Sequence, residues 1–63
     1  MNFVEARDLL LSKAREYYKR HRDSSENWKE GKISKIWIDA KGDICIEYES
    51  GTWWHYKESG EWY

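Results

Sequence analysis

Three short turns that each end in glycine are the feature of this sequence that most constrains its fold. The turns are Ala40-Lys41-Gly42, Glu49-Ser50-Gly51 and Glu58-Ser59-Gly60. A terminal glycine is typical of the three-residue hairpin loop, in which a type I turn is followed by a residue in the left-handed conformation. Since loop length fixes which residues face each other across a hairpin, the three turns predict an antiparallel meander of defined register.

The second turn decides which of the adjacent residues Trp53 and Trp54 is buried. A three-residue loop places Trp54 opposite Ile46, whereas a two-residue loop would place His55 there. Only the three-residue loop collects the apolar residues on one face, and burial of that face favours this register. The same loop type at the other two turns extends the face. The predicted inner face consists of Ile36, Ile38, Ile44, Ile46, Tyr48, Trp54, Tyr56 and Trp62.

The chain before the sheet has apolar residues at helical spacing, with no glycine or proline from about residue 3 to residue 21. We expect this helix to pack on the inner face of the sheet. We also expect His21 to be a satisfied boundary residue at the helix end, and Trp28 to fold back from the polar connector to close the core. At about 100° per residue, the main apolar stripe of the helix contains Phe3, Leu10, Ala14 and Tyr17.

The whole chain, 1–63, is predicted to be one small α+β domain. In this fold a single N-terminal amphipathic helix packs on one face of a three- to four-stranded antiparallel β-meander. Such a length is near the lower limit for a self-sufficient hydrophobic core. Five Trp, five Tyr and one Phe compensate for a charged fraction of 37%, because aromatic side chains bury a large apolar area. The expected elements are a helix over about 3–22, a connector over about 23–31, and strands over about 32–39, 43–49, 52–57 and, in short form, 61–63.

The composition argues against several classes of protein. One cysteine, Cys45, excludes an internal disulfide and falls short of a zinc ligand set. Charge interrupts the first residues at once, which is unlike a signal peptide. The longest apolar run, 9–11, is too short to cross a bilayer. The sequence therefore indicates a cytoplasmic protein without membrane association, disulfides or cofactors.

The outer face of the predicted sheet has nothing left in the chain to cover it, because the only helix packs on the inner face. Two tryptophans, Trp37 and Trp53, would be exposed there, and exposed aromatic patches usually mark interaction surfaces. We therefore predict a non-enzymatic module that binds a protein partner or a second copy of itself as a homodimer. The alternative is that the two tryptophans only cover each other. The predicted contact residues are Ile33, Lys35, Trp37, Trp53 and His55.

The register also places Cys45 beside His55 on the outer face, which raises the possibility of a thiol–imidazole nucleophile. A cysteine that simply fills a strand position is the favoured interpretation. Mid-strand backbone amides are already used in the sheet, so they provide no oxyanion donors. Two side chains are also too few for a metal site. We predict no catalytic residue and no metal ligand, and no enzymatic activity.

Nucleic-acid binding through the helix is the alternative function. Residues 1–22 contain six basic and three acidic side chains, whereas residues 23–63 contain five basic and nine acidic ones. The acidic sheet half argues against this function, because nucleic-acid-binding domains are usually basic overall. Its salt-sensitive contacts would be Lys13, Arg15, Lys19, Arg20 and Arg22.

Overall fold

A computed structural model of the chain describes residues 2–63 and contains one helix followed by a three-stranded sheet. The sheet is antiparallel with the strand order β1-β2-β3. The helix packs against one face of this sheet, which confirms the predicted α+β fold. The elements are α1 (Phe3–Ser24), β1 (Ile33–Ile38), β2 (Ile44–Tyr48) and β3 (Trp53–Tyr56).

Helix α1 begins at a capping box. The Asn2 side chain accepts a hydrogen bond from the Glu5 amide at 2.9 Å, and the Glu5 carboxylate accepts one from the Asn2 amide at 3.4 Å. These reciprocal bonds satisfy two amides that the first turn of a helix otherwise leaves without partners. Within residues 2–63, no helix combines the length and the hydropathy needed to cross a membrane.

The observed pairing agrees with the register that the glycine turns predict. Trp54 lies opposite Ile46, and Ile38 lies opposite Ile44. The turn glycines have φ angles of 87°, 89° and 97°, which L-residues with a side chain rarely adopt. The predicted fourth strand is reduced to one bridge between Tyr56 and Trp62. Short loops with fixed geometry therefore set the long-range pairing of the whole sheet.

The core lies between α1 and the inner face of the sheet. Its fully enclosed centre is β2, where Ile46 has no exposed surface. Trp28 folds back onto this core as predicted. Its ring lies 5.0 Å from that of Tyr48, and its indole N–H donates to the Gly31 carbonyl at 2.8 Å. The buried residues of the core cluster are Ala14, Tyr17, Ile44, Ile46, Tyr48 and Tyr56.

The expectation that Ile38 is buried on the inner face is wrong, since this side chain is 56% exposed. A helix of 22 residues is about 33 Å long at 1.5 Å per residue, whereas the six residues of β1 span about 20 Å. Helix α1 therefore extends beyond the sheet. Its N-terminal half and the Ile38 end of β1 leave apolar surface uncovered, and Phe3 is 83% exposed.

Candidate functional site

The outer face of the sheet has a line of four aromatic side chains, Trp37, Trp53, His55 and Tyr63, which we name the outer aromatic row. The rings of Trp37 and Trp53 are 5.3 Å apart, and those of Trp53 and His55 are 5.0 Å apart. His55 and Tyr63 stack almost in parallel at 4.6 Å. The rings partly cover one another, yet Trp53 remains 46% exposed. The structure thus brings Trp37, Trp53 and His55 together at one surface.

A bulge at the start of β1 removes Ile33 from this outer surface. Ile33 faces Tyr48 while Lys35 faces Glu47, so two steps along β1 match one step along β2. Such a bulge shifts the side-chain alternation by one residue. Ile33 therefore packs against the core, and its prediction as an outer contact residue is wrong. Lys35 stays exposed beside Glu47.

Two further side chains, Asp39 and Cys45, contact His55 of the outer aromatic row; we name the three residues Asp39, Cys45 and His55 the Asp-Cys-His cluster. They come from the segment after β1, from β2 and from β3 respectively. The His55 Nδ1 donates to Asp39 Oδ2 at 2.7 Å. Cys45 Sγ lies 3.3 Å from the same Nδ1 and 3.8 Å from the same Oδ2. The sequence register predicted the Cys45–His55 contact but missed Asp39.

Asp39 is held in place by the turn that it begins. Its Oδ1 accepts hydrogen bonds from the amides of Lys41 and Asp43, both at 2.9 Å, which leaves Oδ2 directed to the cluster. Desolvation opposes ionisation of this carboxyl, but the hydrogen bonds from His55 and the two amides outweigh it and keep the pKa of Asp39 below 3.8. Asp39 is therefore a carboxylate of fixed orientation.

The surroundings of Cys45 do not activate its thiol. Burial, and then the nearby Asp39 carboxylate, raise the pKa of Cys45 above its ordinary value of 9.0. The His55 nitrogen closest to the sulfur is the one that donates to Asp39, so it has no lone pair for the thiol proton. A nucleophilic cysteine needs a lowered pKa and an available base. The cluster is thus unsuited to nucleophilic catalysis as it stands.

A second exposed surface lies where α1 extends beyond the sheet, between the N-terminal half of the helix and the β1–β2 turn. We name it the apolar groove. It includes a hollow of about 300 Å³, and an adjoining hollow next to Phe3 shares three of its lining residues. Lys13 and Glu58 lie at its rim, with 3.9 Å between their charged atoms. The apolar lining consists of Phe3, Ala6, Leu9, Leu10, Tyr17, Ile38, Ile44 and Tyr56.

Several of the basic residues proposed for nucleic-acid contact have acidic partners within the chain. Lys13 pairs with Glu58, Arg20 with Glu16 at 2.8 Å, and Arg22 with Asp23 at 3.6 Å. Among residues 2–63, Arg15 and Lys19 make no ion pair. The helix therefore presents a surface of mixed charge, which gives the nucleic-acid alternative little electrostatic support.

His21 lies inside the fold as part of a buried hydrogen-bond chain. Its Nδ1 is 2.7 Å from the Tyr56 hydroxyl, which is 2.6 Å from the Tyr48 hydroxyl. The prediction of a satisfied histidine at the helix end is confirmed, but the expected boundary position is wrong, because the His21 side chain is buried. Burial lowers the pKa of His21 below 6.5, against the opposing charge of Glu30. Burial raises the pKa of Tyr48 to about 12, and that of Tyr56 still further.

Acidification should destabilise the domain through His21. Because its pKa is lower folded than unfolded, the unfolded chain binds more protons as the pH falls below 6.5. The contribution of His21 to the free energy of unfolding is therefore complete above pH 6.5 and is lost as the pH falls through the folded pKa of His21. Urea unfolding between about pH 7.5 and about pH 5.5 should show a falling midpoint.

The matched control for this pH dependence is His21→Asn. The asparagine Oδ1 can accept from Tyr56 in place of Nδ1, but it does not titrate. The variant should show a smaller change in midpoint over the same pH interval. If the urea midpoint of His21→Asn falls with pH as much as that of the wild type, the acid sensitivity belongs to other groups.

The chain has no match among known protein families, curated proteins or solved structures. The inference of function therefore depends on the surfaces and side-chain clusters themselves. Sequence reasoning found the outer aromatic row but missed the apolar groove and the role of Asp39. The signals that were available for these are the length of α1 relative to the strands, and an aspartate at the first position of a turn.

Proposed function

We propose that this domain is a protein-interaction and assembly module whose partner is a second copy of the chain. The observation that supports this most is the apolar groove, where Phe3 and Ile38 are 83% and 56% exposed on a highly charged chain. Monomeric soluble proteins seldom expose large contiguous apolar patches, and such patches usually mark a contact. The groove offers a hollow together with protruding side chains beside it, the two parts that a self-complementary interface needs.

The charges around the apolar groove favour a second copy as its occupant. Its rim bears both signs, with Arg7 and Lys13 close to Asp8 and Glu58. A rim of a single sign would repel itself across a two-fold axis, whereas a mixed rim can pair with its own copy. In that arrangement Phe3 of each copy would enter the groove of the other.

The outer aromatic row, centred on Trp37 and Trp53, is the second candidate surface for the same function. The exposure of Trp53 supports it. The contact between the two tryptophan rings weakens it, because part of their apolar area is already covered within one copy. We rank the row below the groove for this reason.

Removing the apolar groups of the groove should abolish self-association. The variant Phe3→Ser with Ile38→Thr keeps β-branching in the strand and changes two exposed side chains. Each of these contributes about 1.5–3 kcal/mol when it is buried, so the dimer dissociation constant should rise at least about 100-fold. Light scattering coupled to size-exclusion chromatography over a concentration series measures the change.

The matched control is Trp37→Ala with Trp53→Ala, which changes the outer aromatic row alone. Self-association that persists in this control and disappears in the groove variant supports the groove. The opposite pattern assigns the contact to the row. A wild-type chain that stays monomeric over the whole concentration series would rule out self-assembly through either surface.

A further inference from the structure

The Asp-Cys-His cluster places three different donor atoms around one point. His55 Nδ1 lies 2.7 Å from Asp39 Oδ2 and 3.3 Å from Cys45 Sγ, and the sulfur lies 3.8 Å from the same Oδ2. These three atoms are close enough together for one metal ion to bind all of them. A carboxylate, a thiol and an imidazole are the three side-chain types that bind zinc. We propose that this cluster is a binding site for a divalent transition-metal ion of the zinc type.

The spacing of the donors fits tetrahedral coordination. With zinc bonds of about 2.0–2.3 Å, the donor–donor edges of a tetrahedron are about 3.3–3.6 Å. The edges to Cys45 Sγ, 3.3 and 3.8 Å, differ from these values by about 0.2 Å, and the Asp39–His55 edge of 2.7 Å, now a hydrogen bond, would have to lengthen by about 0.6 Å. Small side-chain rotations at Asp39 and His55 are therefore enough to make the site regular.

The surrounding structure already orients each donor. The turn amides hold the Asp39 carboxylate, and Cys45 lies in the central strand with no exposed surface. The His55 ring is fixed by its stack on Tyr63, whose hydroxyl in turn donates to Asp43 at 2.7 Å. Outer contacts of this kind raise metal affinity because they reduce the ordering that binding requires.

The donor set also selects the kind of ion. A thiolate and an imidazole favour zinc, cobalt and similar ions over magnesium or calcium, which prefer oxygen donors only. Binding would release the Cys45 thiol proton to solvent. The His55 proton, which Nδ1 donates to Asp39 in the metal-free site, would move to Nε2, so that the Nδ1 lone pair and Asp39 Oδ2 both face the ion. The thiolate and the carboxylate would then balance a 2+ charge. Solvent reaches the side chains of His55 and Asp39, at 27% and 17% exposure, so water can take the fourth position.

A bound ion would link all three strands of the sheet. Asp39 follows β1, Cys45 is in β2 and His55 is in β3. Small domains without disulfides are commonly stabilised by such a cross-link. The only cysteine of the chain cannot form an internal disulfide, so a metal ion is the one strong cross-link open to Cys45 within the domain.

Cobalt(II) titration of the full chain under reducing conditions tests the site. A tetrahedral site with one thiolate should give intense visible d–d bands and a sulfur-to-cobalt charge-transfer band. Because the chain has one cysteine, that band reports on Cys45 alone. Zinc should displace cobalt with one ion per chain, and saturating zinc should raise Tm by more than about 5 °C.

Variants separate a metal site from a polar cluster that only supports the fold. Cys45→Ser is nearly isosteric and should remove the charge-transfer band, and Asp39→Asn should weaken cobalt binding strongly. Tyr63→Ala removes the stacking support and should weaken binding roughly 10–100-fold. Asp23→Asn, an exposed acid at the far end of α1, is the control and should bind cobalt as the wild type does.

Two results would overturn the proposal. The first is a wild-type cobalt spectrum without a charge-transfer band, typical of octahedral coordination by surface carboxylates. The second is a band that survives in Asp39→Asn and in a His55→Gln variant with unchanged affinity, because Cys45 would then bind the ion without the other two donors. Circular dichroism of each variant confirms that it is folded before the titration.

Discussion

Replacing Ile46 with alanine should leave most molecules of this domain unfolded at room temperature. Ile46 has no exposed surface, and it lies in the central strand between its cross-strand neighbours Ile36 and Trp54. Truncating a buried isoleucine to alanine costs about 2–5 kcal/mol, because apolar contacts are lost and a cavity remains. A core of this size rarely supplies more than about 3–5 kcal/mol. The loss is therefore comparable to the whole free energy of unfolding.

The matched control is the same substitution at Ile38, an isoleucine in the neighbouring strand that is 56% exposed. Its cost should be about 1 kcal/mol or less. Urea unfolding followed by tryptophan fluorescence, at a concentration low enough for monomers, measures both variants. Similar midpoints for Ile46→Ala and Ile38→Ala would mean that the core is not centred on β2.

The strand register could be predicted because it depends on local chemistry. Three glycine-terminated turns and the alternation of apolar residues were enough to place Trp54 opposite Ile46 and Trp53 on the other face. Long-range pairing followed from short-range rules in this fold.

The extent of burial could not be predicted in the same way. The alternation of apolar and polar residues predicts which face of a strand a residue is on, but it does not predict how far the covering helix extends over that face. Ile38 is on the inner face and is still exposed, because α1 and the sheet diverge in length at that corner. The apolar groove results from this difference in length, and the alternation of residues along the strands does not predict it.

The candidate metal site was only partly predictable for a related reason. The register placed Cys45 beside His55, since both are within regular strands. Asp39 lies one residue beyond the end of β1, where alternation no longer defines a direction. Its orientation comes from the hydrogen bonds to the amides of Lys41 and Asp43. A bulge likewise moved Ile33 to the inner face, and a strand pattern does not reveal such an insertion.

Removing one hydroxyl group, by Tyr56→Phe, should destabilise the domain nearly as much as a large cavity does. The Tyr56 hydroxyl lies between His21 Nδ1 at 2.7 Å and the Tyr48 hydroxyl at 2.6 Å. Each of those groups has its side-chain hydrogen bond with Tyr56, so the variant leaves both without a partner inside the fold. A buried polar group without a partner costs about 1–3 kcal/mol.

The comparison with Tyr48→Phe isolates the effect of position in the hydrogen-bond chain. The Tyr48 hydroxyl is the last group of the hydrogen-bond chain, and removing this hydroxyl leaves Tyr56 bonded to His21. That variant should cost about 0.5–1.5 kcal/mol, less than Tyr56→Phe. Adding Tyr48→Phe to Tyr56→Phe should be neutral or stabilising, because it removes a hydroxyl that already lacks a partner. Urea unfolding of the wild type, the two single variants and the double variant gives the coupling free energy between the Tyr48 and Tyr56 hydroxyls. Additive losses would mean that the two hydroxyls stabilise the fold independently, for instance through water, and not as one chain ending at His21.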